Sequence, residues 1–159
     1  MKITFVLPHA SLDGGIRVVA IYADKLKRRG HDVTVVSLPR QALTLKQKVK
    51  IFIQEKMWPD IENGPSHLDG LNVEHRILEK NRPVVNDDVP DGDAVIATWW
   101  ETAEWVNSLQ PSKGKKIYFV QGHEINLGFL VERVRATYLL PLHKITISKW
   151  LVDVMRKEY

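Results

Sequence analysis

Three short runs in this sequence hold residues whose types and spacing suit chemistry. The first is Pro8-His9-Ala10-Ser11-Leu12-Asp13-Gly14-Gly15-Ile16-Arg17. Two glycines at a helix start let a ligand approach backbone N–H groups, and the helix N-terminus adds partial positive charge suited to a phosphate or carboxylate. Arg17, in the first helical turn, is placed to reach the same anion, and His9 sits on the same loop. The competing reading of Gly14-Gly15 is a tight strand-to-helix turn. The second run is Trp99-Trp100-Glu101, with Trp105 one turn on. Aromatic faces beside a carboxylate suit a sugar, whose C–H groups stack on the rings while the carboxylate accepts from hydroxyls. Trp105 reads better as packing between helix and sheet; Trp99 and Trp100 stay open between the two roles. The third run, Gln121-Gly122-His123-Glu124, places a histidine at the end of a strand, where it can hydrogen-bond a ligand or move a proton. A structural histidine is the competing reading. His31, His67, His75 and His143 have no partners at metal-ligand spacing and read as structural or exposed.

These runs need elements to position them, and the hydrophobic pattern supplies strands alternating with helices. Strands are expected at Lys2–Leu7 (ended by Pro8), Val33–Leu38, Val73–Leu78, Ala94–Thr98, Lys116–Gln121 and Lys144–Ser148. Helices are expected at 16–29, 43–58, 99–109, 126–139 and from Lys149 onward, with Gly30 as the C′ residue of the first and Ser148 as the cap of the last. Val33–Leu38 is almost wholly apolar, as a strand buried on both faces must be. The alternation predicts an α/β fold: a Rossmann-like three-layer sandwich with a mostly parallel sheet of about six strands. With the strand order 3-2-1-4-5-6, the three runs converge at the carboxyl ends of the first, fourth and fifth strands, where such sheets bind ligands.

Composition narrows the classes. The chain has 159 residues, 44% hydrophobic and 26% charged, as a globular domain does. It has no cysteine, which removes disulfides, thiolate metal sites and cysteine nucleophiles, and fits a reducing cytoplasm. No run of 18 apolar residues exists to span a membrane, and the N-terminus lacks the pattern of a signal peptide. The net charge of +4 admits phosphates or an anionic membrane surface, but basic residues alternate with acidic ones, so nucleic acid is not expected. The basic amphipathic stretch Leu43–Trp58 admits peripheral contact with the inner membrane face; a core-facing helix with solvated lysines is the preferred reading. G-x-G-x-x-G is absent, the second strand ends without an acidic residue for a ribose, and no G-K-[ST] occurs. Nicotinamide, flavin and ordinary ATP chemistry are therefore disfavoured, and no cofactor or metal is expected.

The runs Met1-Lys-Ile-Thr-Phe-Val-Leu-Pro8, Gly14-Gly15-Ile-Arg-Val-Val19 and Ala23-Asp-Lys-Leu-Lys-Arg-Arg-Gly30-His31-Asp-Val-Thr-Val-Val36 resemble the N-terminal, acceptor-side domain of retaining glycosyltransferases of family 4, which have the GT-B fold. Asp93–Thr98, Lys116–His123 and Ile145–Ser148 fall in matching order, so the resemblance spans residues 1–159, with Pro39–Gly92 matching little. It implies one Rossmann-like half of a two-domain enzyme whose C-terminal, donor-gripping half is absent from this chain. It further implies a nucleotide-sugar donor and a sugar or lipid-linked acceptor. Gly14 and Gly15 would lie near the donor diphosphate and acceptor, and His123 would match the family's histidine near the transferred sugar. His9, Arg17, Trp99 and Glu101 join this site from their positions alone. The family's Glu-x7-Glu pair belongs to the other half; Glu124 and Glu132 share the spacing but lie too early, so that match reads as chance. A two-domain enzyme needs about twice this length, and the chain stops inside an amphipathic helix, so it reads as a fragment. The rival reading is a single-domain, non-catalytic module that binds a sugar or nucleotide.

Overall fold

A computed structural model describes residues 1–40, 53, 64–125 and 128–159. The expected helix 43–58 and the first part of the loop after it lie outside the described residues. The rest forms a six-stranded sheet in the order β3-β2-β1-β4-β5-β6, with every pairing parallel. The strands are β1 (Lys2–His9), β2 (Asp32–Leu38), β3 (Glu74–Ile77), β4 (Ala94–Ala97), β5 (Lys115–Val120) and β6 (His143–Thr146). Four described α-helices pack on them: α1 (Gly14–Arg28), α2 (Trp100–Ser108), α3 (Val131–Tyr138) and α4 (Lys149–Glu158). The fold is α/β and Rossmann-like, in three layers.

The layers follow from alternation along the central strands. Ile3, Phe5 and Leu7 of β1 and Val33 and Val35 of β2 face α1, where they meet Ile16, Val19, Ala20 and Ala23. Val6, Val36, Val95 and Val120 face the other way, onto Trp100, Ala103 and Val106 of α2, Val134 and Tyr138 of α3 and Met155 of α4. A strand covered on both faces must be apolar at every position, and β2 from Val33 to Leu38 is buried throughout. The edge strands β3 and β6 are only partly covered, and leave Glu74, Arg76 and His143 exposed together with Ile77 and Ile145.

Local signals set the helix ends. The α1 stripe is amphipathic, and the helix closes in a Schellman arrangement. His31 N donates to Leu26 O and Gly30 N to Lys27 O, with Gly30 at φ +84°. Ser148 Oγ accepts from Leu151 N and caps α4, as expected. At Gly114, φ is +93° and an added Cβ would lie 2.4 Å from the Asp93 carbonyl carbon, so only glycine lets the turn into β5 pass the β4 entry.

Several boundaries move from expectation, most by one or two residues, and two of the changes bear on the loops around the cleft. Pro8 does not end β1: the strand continues to His9 through a register shift between Leu7 and His9, where the missing N–H of proline breaks no ladder bond. The expected helix 126–139 begins later. A 3₁₀ turn, Gly128–Leu130, with Gly128 at φ +58°, precedes α3, while 126 and 127 lie outside the described residues. No helix among the described residues is long and apolar enough to cross a membrane.

Candidate functional site

The chain leaves β1 toward β2 on one side and returns to β4 on the other, so the loops after β1 and β4 part and open a crevice between them. A cleft of about 1080 Å³ occupies this place. Most of its wall comes from the three runs singled out by residue type, with Leu38, Pro39, Asn81 and Pro83 beside them. The end of β1 contributes Pro8 and His9, the loop after it Ser11 and Asp13, and the start of α1 Gly15; the β4–α2 junction gives Thr98, Trp99, Glu101 and Trp105; the loop after β5 gives Gln121 and Glu124. Arg40, Arg82 and Arg133 stand around it.

The first loop is exposed and internally bonded. Ser11 Oγ donates to Asp13 Oδ2 at 2.5 Å, Asp13 N donates back to Ser11 Oγ at 3.2 Å, and His9 Nε2 lies 3.8 Å from Asp13 Oδ2. Arg40 straps the loop from outside, with Nε donating to Ala10 O at 2.7 Å and Nη2 to Pro65 O at 2.6 Å. His67 Nε2 donates to Leu12 O at 3.0 Å. Asp13 starts α1 without a side-chain cap, and the first intrahelical bond runs from Arg17 N to Asp13 O. The N–H groups ahead of Arg17 thus have no intrahelical acceptor and give the cleft's edge a cluster of backbone donors. Gly15 lines the cleft; an added Cβ would touch the Gln121 amide at 3.6–3.9 Å. Gly14 and Arg17 are exposed and do not line it.

The β4–α2 junction is rigid. Thr102 Oγ1 accepts from Thr98 N and Trp99 N, both at 2.9 Å, and donates to Trp99 O at 2.8 Å. Thr98 Oγ1 donates to Val6 O at 2.9 Å and ties the junction to β1. The tryptophans divide by role. Trp100 is buried in the core, with the Arg133 guanidinium 5.1 Å from its ring centroid and forked onto Glu104 at 2.9 and 2.7 Å. Trp99 and Trp105 pack partly on the core and also line the cleft. Trp105 therefore does more than the packing expected of it.

The loop after β5 is half-buried. Tyr138 on α3 holds it: the tyrosine Oη accepts from Glu124 N at 3.0 Å and donates to Gly122 O at 3.2 Å. Burial pushes the Glu124 carboxyl up to about 7. Tyr138 itself is pushed up to about 12, mainly by burial, and burial also raises Tyr118. Glu124 Oε2 and Gln121 Oε1 are buried with no hydrogen-bond partner among the described residues, while Gln121 Nε2 reaches Thr98 O at a long 3.5 Å. His123 faces elsewhere. Its side chain is 8% exposed, its Nε2 lies 3.0 Å from Tyr159 Oη and 3.8 Å from Glu158 Oε2, and its ring packs against both Tyr138 and Tyr159. It does not line the cleft.

The structure thus brings His9, Gly15, Trp99 and Glu101 together, and leaves Gly14, Arg17 and His123 outside the cleft wall. Gln121, Glu124, Trp105 and Arg40 join the site through burial and through-space contacts, which residue spacing does not encode. Among the described residues no group of three or more His, Asp or Glu is placed to hold a metal ion. Comparison with protein families, with curated proteins and with solved structures finds no match for this chain.

Proposed function

We propose that this chain is the acceptor-side domain of a GT-B, family 4 retaining glycosyltransferase, which moves a sugar from a nucleotide-sugar to an acceptor hydroxyl. The observation that supports the reading is the cleft at the strand carboxyl ends, where Trp99 and Trp105 stand beside Glu101 and Glu124 at the free N-terminus of α1. In this reading the acceptor ring lies on the indoles. The donor diphosphate approaches the α1 edge at Gly15, where backbone N–H groups and the helix dipole stabilise the leaving charge. A donor-gripping partner domain closes the other side. His123 serves as a positioning residue, because it bonds Tyr159 and packs on Tyr138, which in turn holds the β5 loop.

A second reading, a non-catalytic sugar-binding module, draws on the same cleft, since its described walls all belong to this chain. Activity separates the two. The gene product carrying this chain would be captured from its source cells with an antibody to residues 1–159. It would then be given nucleotide-sugars labelled in the sugar and a saccharide or lipid-linked acceptor. The transferase reading expects label on the acceptor with the donor's anomeric configuration kept, and loss of that transfer in Gly15→Val. Saccharide binding without transfer from any donor would leave the binding module.

A further inference from the structure

Glu124 is anchored at its backbone and unanchored at its carboxyl. Its N–H donates to Tyr138 Oη at 3.0 Å, and the same hydroxyl donates to Gly122 O at 3.2 Å, so the main chain of the loop after β5 is tied to α3. Its Oε2 is closed to water and has no hydrogen-bond partner among the described residues. The residue nevertheless lines the cleft, so the side chain stands between a closed site and open space.

A neutral carboxyl tolerates such a site and an ionised one does not. Burying an unpaired carboxylate costs far more than burying its protonated form, so the group either keeps a proton or takes its charge elsewhere. The second course is open to Glu124. A turn about its side-chain bonds leaves the Tyr138 anchor intact, because that anchor holds only backbone atoms of the loop. The cleft offers the charge water and the guanidiniums of Arg40, Arg82 and Arg133.

The groups packed around Glu124 act in both directions. Tyr118 of β5 and Tyr138 of α3 are raised by burial and stay neutral. His123, on the same loop, turns to Glu158 and Tyr159 at the end of α4. On the cleft wall, Asp13 and Glu101 oppose a further negative charge, while the three guanidiniums and a protonated His9 favour it. Burial is the leading influence and sets the carboxyl at about 7 in place of 4.5, so both forms are populated near neutral pH.

We infer that Glu124 is a proton-operated switch in the cleft wall: neutral, its carboxyl stays closed in the loop after β5; ionised, it turns out and adds a carboxylate to the cleft's lining. The charge of the cleft then changes across neutral pH while the loop's main chain stays in place. The switch belongs to the cleft wall whatever the cleft binds, so it stands or falls apart from the transferase reading.

The test uses the chain itself, isotopically labelled and without ligand, from about pH 5.5 to about pH 8.5. NMR follows the Glu124 side-chain carboxyl carbon, and relaxation by a neutral soluble nitroxide reports the solvent contact of its γ-protons. The expected result is a carboxyl midpoint near 7, with nitroxide relaxation of the γ-protons rising through the same midpoint. That rise should be several-fold, since the ionised share grows about tenfold between one pH unit below the midpoint and one above it. The indole N–H resonances of Trp99 and Trp105, which line the same cleft, should shift with that midpoint, and the shift should vanish in Glu124→Gln. A dispersed amide spectrum shows that the variant is folded. A midpoint at the ordinary 4.5 would overturn the inference. So would a midpoint near 7 with flat nitroxide relaxation, which means a proton exchanged inside a closed site, or an indole shift that survives in folded Glu124→Gln. The nitroxide measurement needs no variant and decides the matter by itself if the glutamine chain does not fold.

Discussion

The loop after β1 and the loop after β5 line one cleft, yet they are built on opposite terms. The first is exposed, bonds its own side chains through Ser11 and Asp13, and offers backbone donors at a glycine-rich helix start. The second is half-buried, hangs from Tyr138, and holds two side-chain acceptors without partners among the described residues. A loop that satisfies itself in water depends little on a ligand. A loop that buries unsatisfied oxygens carries a free-energy cost that the rest of the fold must offset. The glycine motif draws attention to the first loop, whereas burial puts the specific side-chain chemistry on the second.

Removing one oxygen from each loop's support gives the largest expected contrast. Tyr138→Phe deletes the hydroxyl that serves both Glu124 N and Gly122 O, and should cost about 2 kcal/mol in urea unfolding. Ser11→Ala, on the exposed loop, should cost less than about 0.5 kcal/mol. Equal costs would erase the distinction between the loops.

Glu124→Gln sharpens the contrast through pH. The folded carboxyl is raised from 4.5 to about 7, so the native state binds the extra proton between those values. Stability is then fully retained below about pH 4.5 and falls as pH rises toward 7. The glutamine variant escapes that loss. Discounted for partial solvent access, it should be more stable than the parent by about 1–2 kcal/mol at pH 8 and equal to it near pH 4.5. The ionisable neighbours are Tyr118 and Tyr138, both raised and neutral over this range, His123 on the same loop, and His9, Asp13, Glu101, Arg40, Arg82 and Arg133 among the residues lining the cleft. Unfolding curves at the two pH values check the sign.

The smallest effect belongs to Gly15. An added Cβ makes only ordinary contacts with Gln121, and alanine suits a helix better than glycine. Gly15→Ala should keep or raise stability by up to about 0.5 kcal/mol, so any loss of ligand binding in it reports the cleft and not the fold. A thermal melt beside a glycoside titration separates the two.

Much of this architecture is legible in the residues. The apolar run Val33–Leu38 marks a doubly covered strand, Gly30 marks the end of α1, and the order of strands and helices brings the three runs to one end of the sheet. His9, Gly15, Trp99 and Glu101 lie in the cleft because each follows a strand whose place the alternation dictates. What stays hidden depends on partners distant in the chain. His123 is drawn off the cleft by Tyr159, 36 residues later, and no local pattern announces that contact. Glu124 gains its character from burial on a loop that Tyr138 ties down, and Arg40 reaches back 30 residues to Ala10. Pro8 continues β1 because the register shifts there, a choice made by the neighbouring strand and not by proline itself.

The central claim is that burial on the β5 loop sets the Glu124 carboxyl apart from an ordinary one. The most direct measurement is a carbon-detected NMR titration of the Glu124 side-chain carboxyl. The account predicts a midpoint near 7. A midpoint at the ordinary 4.5 would contradict it.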